Sequence, residues 1–143
     1  MIALASILLA VVFPSVGAGI ANLELRSSAQ RVAAASRYAR EQAIHDQSSY
    51  ELAIDAQARR ISLRRIGGQE DQGIRTAELP AGVKIVRLEP VTEDEAVPGR
   101  LIGRYVFYPD GGVPHFKVAL ENARRQITVE SDPLTGFAKV SEP

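Results

Sequence analysis

The sequence contains no cysteine and no tryptophan, and only two histidines. Without cysteine the chain has no disulfide, no thiolate metal site and no cysteine nucleophile, and its redox compartment stays undetermined. Lysine plus arginine and aspartate plus glutamate balance at 17 each, so the formal net charge is zero. A neutral composition gives no indication of binding to nucleic acid or to an anionic surface.

Charge is also absent from the beginning of the chain, where the first charged residue is Glu24. Twenty helical residues span roughly 30 Å, the thickness of the hydrocarbon core of a bilayer. We therefore predict that residues 1–23 form a transmembrane helix. Residues 24–143 then form a polar, charged domain that is large enough to bury a modest core.

Two alternatives to a membrane anchor remain open for this segment. A cleaved signal peptide needs a basic region before its apolar core, and no lysine or arginine stands there, although residues 16–18 could serve as a cleavage site. A buried core helix is normally apolar on one stripe, whereas this segment is apolar on all sides. Basic residues follow the segment and none precedes it, so the positive-inside rule places the domain in the cytoplasm unless a basic leader is missing before Met1.

A proline and several small residues indicate that this helix packs against other helices. Pro14 leaves the carbonyl of Ala10 without its helical donor, and lipid supplies no replacement. Gly17 and Ala21 have the four-residue spacing that allows a second helix to approach closely. We predict that Pro14, Gly17 and Ala21 serve helix packing and assembly; the alternative is that proline and glycine are simply tolerated in a membrane helix.

The helical pattern continues beyond the apolar run. Leu25, Ala29 and Val32 begin a stripe of small and apolar residues at three- and four-residue steps that extends to Ala43. Neither glycine nor proline interrupts residues 20–44. We predict one helix of about 43 residues whose second half, residues 24–45, lies amphipathically on a domain. Leu25, Ala29 and Val32 are the predicted contacts between helix and sheet.

After His45 the pattern changes from helical to alternating. Strands are predicted within residues 48–140, at 50–54, 61–63, 83–88, 101–108, 116–120, 127–129 and 137–140. Turn residues separate them, including a Pro-Asp-Gly-Gly turn at 109–112 and an Asp-Pro-Leu-Thr-Gly connection at 132–136. One long helix followed only by strands predicts an α+β fold with an antiparallel sheet.

The residues of two segments resemble those of a known family. The proline-containing apolar helix continues into LRSSAQRVAAASRYAREQAI, which is similar to the type IV pilin superfamily. The later segment YVFYPDGGVPHFKVALENARRQITVESDPLTGFAKV resembles the minor pseudopilin H class of type II secretion systems. Minor pilins of type IV pili are the near neighbours of that class.

The resemblance implies a structural role with defined partners. Such subunits assemble with major and minor pseudopilins into a short periplasmic filament, on an inner-membrane secretion platform, which supports export of folded proteins across the outer membrane. The implied location is the bacterial inner membrane, crossed once, with the C-terminal domain in the periplasm.

The resemblance also implies processing at the N-terminus. A prepilin peptidase removes a short basic leader from such precursors and methylates the new terminus. The residues that surround that site in the family are missing here, so we expect the true N-terminus to lie upstream of Met1.

Candidate catalytic and metal-binding residues are few. His45 lies at the predicted helix end, and His115 lies in a loop with no second histidine nearby. The acidic residues 93–95 lack the alternating spacing and central glycine of a calcium loop. No serine has the surroundings of a nucleophile elbow. We expect no enzyme activity, no catalytic residue, no metal and no cofactor.

Three pairs of neighbouring arginines lie near predicted strand ends, without aromatic residues between them. Nucleic-acid binding is therefore not expected. The pairs are Arg59 with Arg60, Arg64 with Arg65, and Arg124 with Arg125.

Two other functions remain alternatives to a pseudopilin. A minor pilin of a type IV pilus would serve adhesion, motility or DNA uptake, and the sequence separates it poorly from a pseudopilin. A periplasmic hydrolase or binding protein would instead have an enclosed polar pocket in which titratable groups converge.

Overall fold

The computed structural model describes residues 2–67, 75–94 and 97–142, and for residues 2–18 it describes only the helical backbone. These residues form one helix followed by nine strands. The elements are α1 (Ile2–Asp46), β1 (Tyr50–Asp55), β2 (Arg60–Arg65), β3 (Arg75–Glu78), β4 (Lys84–Glu89), β5 (Thr92–Glu93), β6 (Leu101–Phe107), β7 (Lys117–Glu121), β8 (Gln126–Ser131) and β9 (Ala138–Ser141).

The single long helix predicted from the sequence is confirmed, and it ends within two residues of the predicted boundary. Its last turn closes when the backbone N–H of Ser48 donates to the carbonyl of Ala43 at 3.2 Å. Gln47 adopts a positive φ of 52°, the left-handed conformation with which helices commonly end. The chain then enters β1 directly.

The strands form two antiparallel sheets. The first sheet has the order β3-β2-β1-β6-β5, and the second has the order β4-β7-β8-β9. The predicted α+β class is thus confirmed. The division into two sheets was not predicted, because β1 pairs with the distant β6 while β4, which lies between them in sequence, pairs with β7.

Aromatic side chains join the two sheets in the core. Phe116, which precedes β7, stacks on Tyr105 of β6 with ring centroids 4.8 Å apart. Phe107 meets Phe116 edge-on at 6.5 Å. All three side chains are fully buried. Such aromatic pairs contribute about 0.5–1.5 kcal/mol beyond the apolar area that they bury, so this cluster stabilises the contact between the sheets.

Two predicted turns have the geometry that their residues favour. Gly111 and Gly136 adopt φ values of 87° and 76°, which are strained for any residue with a side chain. The N–H of Gly111 donates to the carbonyl of Tyr108 at 3.0 Å. The N–H of Gly136 donates to the carbonyl of Asp132 at 2.8 Å, in the connection between β8 and β9.

Candidate assembly surface

A buried stripe runs along the second half of α1. Leu25, Ala29 and Val32 have no exposed surface, and Ala39 and Ala43 continue the same face. The stripe packs against strands of both sheets, chiefly β1, β8 and β9. Small side chains dominate it, so the helix backbone approaches the sheets closely.

The stripe contains two serines, Ser28 and Ser36, and both are buried. The hydroxyl of Ser28 donates to the carbonyl of Glu24 at 2.7 Å. This bond within the helix satisfies a polar group that burial would otherwise make costly.

N-terminal to this stripe, the helix is exposed to solvent. Ile20 and Leu23 are 53% and 65% exposed, and apart from the adjoining helix no described atom lies within 4 Å of where a Cβ on Gly19 would be. Two large apolar side chains on the same few turns are therefore not covered by the chain's own domain.

Of the residues predicted to serve assembly, Pro14 and Gly17 lie outside the described side chains. Ala21 is half-buried, and its carbonyl accepts a hydrogen bond from the side chain of Asn122. Among the residues whose side chains the structure describes, no helical stretch is both long enough and apolar enough to cross a membrane.

Asn122 connects the β7–β8 turn to the helix. Its Nδ2 donates to the carbonyl of Ala21 at 3.2 Å and lies 3.5 Å from Oδ1 of Asn22. Its Oδ1 accepts from the backbone N–H groups of Arg124 and Arg125 at 2.9 and 2.8 Å. Sequence reasoning missed this residue, because an asparagine beside a strand end predicts only a turn.

The opposite end of the docked helix is held by a side-chain hydrogen bond. The hydroxyl of Tyr50, the first residue of β1, donates to the carboxylate of Asp46, the last residue of α1. This hydrogen bond, followed by burial, raises the pKa of Tyr50 above its ordinary value of 10.0. The helix is thus fixed to the domain near both ends of its buried stripe.

The outer face of the five-stranded sheet carries paired charges. Glu51 on β1 accepts from Arg64 of β2 at 3.1 Å and from Arg104 of β6 at 3.0 Å. Asp55 forms an ion pair with Arg100 and accepts hydrogen bonds from the backbone N–H groups of Gln57 and Ala58 in the following turn. These contacts link three strands across the sheet surface.

Three shallow grooves lie on the described surface. One of about 350 Å³ runs between α1 and β9 and includes Arg37 and Phe137. Another of about 260 Å³ lies between α1 and the β2–β3 pair and includes Tyr38 and Arg75. The third, of about 440 Å³, is formed largely by β4 and includes Arg87 and Glu89. Their linings are mostly apolar or arginine side chains.

The two histidines lie apart. His45 is exposed near the end of α1, and Nε2 of His115 lies 3.1 Å from Oε1 of Glu130 on the surface. Within the described residues no three histidine, cysteine, aspartate or glutamate side chains lie close enough together to hold a metal ion.

Comparison with solved structures identifies the architecture. The minor pseudopilin EpsH from the type 2 secretion system of Vibrio cholerae superposes with a TM-score of 0.59 at 18% identity, covering 84% of this chain and 98% of that chain. A second EpsH structure gives a TM-score of 0.60, also at 18% identity, over 84% of this chain and 94% of that one.

The type IV minor pilin FimU of Pseudomonas aeruginosa is similar to the same degree. It superposes with a TM-score of 0.60 at 15% identity, covering 85% of this chain and 94% of that chain. No protein-family model matches the sequence, and no curated protein matches it significantly. The chain therefore has the type IV pilin-like fold that EpsH and FimU share.

Proposed function

We propose that this chain is a structural minor pseudopilin of a type II secretion system. Residues 1–23 anchor it in the bacterial inner membrane, and residues 24–143 form a periplasmic domain. It assembles through its N-terminal helix with other major and minor pseudopilins on the inner-membrane platform, and the filament supports export of folded proteins.

One observation carries the proposal beyond the fold. From Leu25 onward one stripe of the helix is buried against its own domain, but Ile20 and Leu23 are exposed where the uncharged segment ends. Exposed apolar side chains at such a position indicate contact with lipid or with a neighbouring helix. An assembly subunit needs both, first in the membrane and then in a filament.

A type IV minor pilin is the second candidate, and the FimU superposition supports it equally well, because its TM-score equals that of EpsH. The C-terminal segment from Tyr105 to Val140, which resembles the H class of pseudopilins, supports the first candidate. An enzyme is supported least, since the described grooves are shallow and carry arginines rather than converging acids and bases.

Deleting the gene in its own host separates these functions. For a pseudopilin we expect loss of protein secretion into the medium with surface pili intact. Loss of pili with secretion intact would instead establish the minor pilin. If both stayed intact, assembly function would be refuted and the periplasmic enzyme or binding protein would lead.

Cross-linking tests the assembly surface directly, because the chain has no cysteine of its own. Leu23→Cys places a thiol on the exposed face of the helix, and Leu25→Cys places one in the buried stripe as a matched control. In cells we expect Leu23→Cys to form adducts with a cysteine-substituted major subunit and Leu25→Cys to form none. Equal cross-linking at both positions would contradict the assignment of the exposed face.

A further inference from the structure

The turn between β7 and β8 is held against the helix at a defined height. Residues 122–125 form this turn, and the N–H of Asn122 donates to the carbonyl of Arg125 at 3.0 Å. The Asn122 side chain fixes the backbone of Arg124 and Arg125 on one side and the carbonyl of Ala21 on the other. The two arginines cannot move away from this helix level without breaking these bonds.

That level coincides with the end of the uncharged segment. Ala21 lies three residues before Glu24, the first charged residue of the chain. Ile20 and Leu23 are exposed there. Apolar side chains and two cations thus lie at the same level along the helix, as in segments that sit at a membrane–water interface.

Several other charges lie at this end of the domain. Lys84 is the register partner of Glu121 across β4 and β7, and Arg26 lies 3.8 Å from Glu142. Arg124 and Arg125 are exposed and form no ion pair with the residues that the structure describes.

The nearby carboxylate of Glu24 extends toward Gly82, where its Oε2 would lie 3.7 Å from an added Cβ. Lys84, Arg124 and Arg125 thus carry three positive charges at this end of the domain, against two negative charges on Glu24 and Glu121.

We propose that Arg124 and Arg125 bind the phosphate groups of anionic phospholipids in the leaflet from which the helix emerges. The inference rests on the proposed anchoring of residues 1–23. Guanidinium groups pair with phosphate oxygens through parallel hydrogen bonds, and basic residues beside a membrane helix bind anionic leaflets. The turn thereby sets the height of the domain above the bilayer before the subunit enters a filament.

Fluorescence quenching of the full chain in vesicles tests this inference. Ala123→Cys, between the fixed asparagine and the arginines, carries an environment-sensitive dye, and a headgroup-attached spin label quenches it. We compare phosphatidylcholine vesicles with vesicles that also contain phosphatidylglycerol. Quenching is expected to rise with phosphatidylglycerol, and each arginine should raise the equilibrium constant for surface contact about five-fold at low salt.

An equal change of charge at the far end of the domain provides the matched control. In β2, Arg65 lies opposite Tyr50, whose hydroxyl bonds to the last residue of the helix. The pair Arg64 and Arg65 is therefore roughly 37 Å along the helix from Ala21. Replacing Arg124 and Arg125 by glutamine should abolish the dependence on phosphatidylglycerol, whereas replacing Arg64 and Arg65 by glutamine should preserve it.

Three outcomes overturn the inference. They are quenching that is independent of phosphatidylglycerol, equal loss in both double variants, and loss when inorganic phosphate replaces chloride at constant ionic strength. The last would indicate a general anion site. A further result, cross-linking of the turn to an acidic partner without quenching, would also overturn the inference and indicate a protein contact instead.

Flotation of the same samples keeps the proposed anchoring separate from the headgroup contact. If the chain fails to float with either vesicle, the membrane anchor of the proposed function is refuted. If the chain floats with both vesicles and the quenching does not depend on phosphatidylglycerol, only the headgroup contact is refuted.

Discussion

Tyr105 illustrates how closely single residues are fitted in the core. It is fully buried, and its hydroxyl donates to the carbonyl of Pro90 at 3.2 Å. Its side chain also crosses Gly103 on the same strand, where an added Cβ would lie only 2.3 Å from the hydroxyl oxygen. Glycine is required at position 103 for space, since even a methyl group would force the aromatic ring out of its site.

The buried phenol makes the stability of the domain dependent on alkaline pH. Burial, followed by the carboxylate of Glu89, raises the pKa of Tyr105 above its ordinary value of 10.0. The unfolded chain releases this proton near pH 10 while the folded chain keeps it. Stability is therefore complete below pH 10 and falls as pH rises above it, by about 1.4 kcal/mol per pH unit for one proton.

Denaturant titrations between neutral pH and pH 11 check this prediction. Tyr105→Phe should reduce the loss of stability above pH 10 by the contribution of one proton. At neutral pH it should lower the free energy of unfolding by about 1 kcal/mol, because the hydrogen bond to Pro90 disappears. Tyr108→Phe, at an exposed side chain, is the control for loss of a hydroxyl and should change stability at neutral pH by less than about 0.5 kcal/mol. Stability should still fall at alkaline pH in Tyr105→Phe because of Tyr50, whose pKa is also raised. If stability fell as steeply in Tyr105→Phe as in the unmodified chain, the role of Tyr105 would be refuted.

Among the elements, α1 has two faces that differ completely in their surroundings. Val32 belongs to the stripe without exposed surface, whereas Ala34, two residues later, is exposed. The same substitution at these two positions separates burial from helix propensity and net charge.

We predict that Val32→Arg removes about 4 kcal/mol or more of folding stability, because it places a charge between the helix and the sheets. A domain of this size has roughly 5–15 kcal/mol to lose. Ala34→Arg should change stability by less than about 0.5 kcal/mol. Thermal unfolding followed by circular dichroism compares them, and similar melting temperatures would contradict the proposed docking of the helix through Leu25, Ala29 and Val32.

The elements also differ in how well their sequences specify them. The apolar spacing of α1 and the alternation in β1 predict both correctly, because burial against a single face enforces a regular period. Strand β3 has four exposed residues, Arg75–Glu78, so no alternation indicates it. In β1, Glu51 and Asp55 alternate with the core residues of the strand, and they are nevertheless buried because arginines from other segments cover them.

The candidate surface was predictable only where it depends on local spacing. The helix stripe is visible in the sequence, whereas the bond from Asn122 to Ala21 joins residues that are 101 positions apart. Such a contact depends on how the second sheet lies against the helix. The sequence of a turn carries no information on that placement.

The molecule as a whole consists of a domain and a helical extension that share one continuous helix. Along the described part of the helix, Leu25 is the first residue whose side chain is fully buried. Before Leu25, the described contact between helix and domain is the hydrogen bonding of Asn122 to Ala21 and Asn22. Few interactions of the domain therefore involve the described side chains of residues 19–23. Folding of the domain and assembly through the extension are expected to be separable.

Truncation tests this separation. A chain of residues 24–143 should fold and lose only about 1 kcal/mol, the value of one hydrogen bond, or roughly 4 °C in melting temperature. Its new helix would also begin with Glu24, whose charge is favourable at a helix N-terminus.

A chain of residues 33–143 lacks Leu25, Ala29 and Val32 and should not unfold cooperatively, since removing buried leucines and valines costs several kcal/mol. Circular dichroism melts and gel filtration distinguish the two fragments. Loss of cooperative unfolding in residues 24–143 would mean that the extension is part of the folded domain, and the boundary proposed at residue 23 would be wrong.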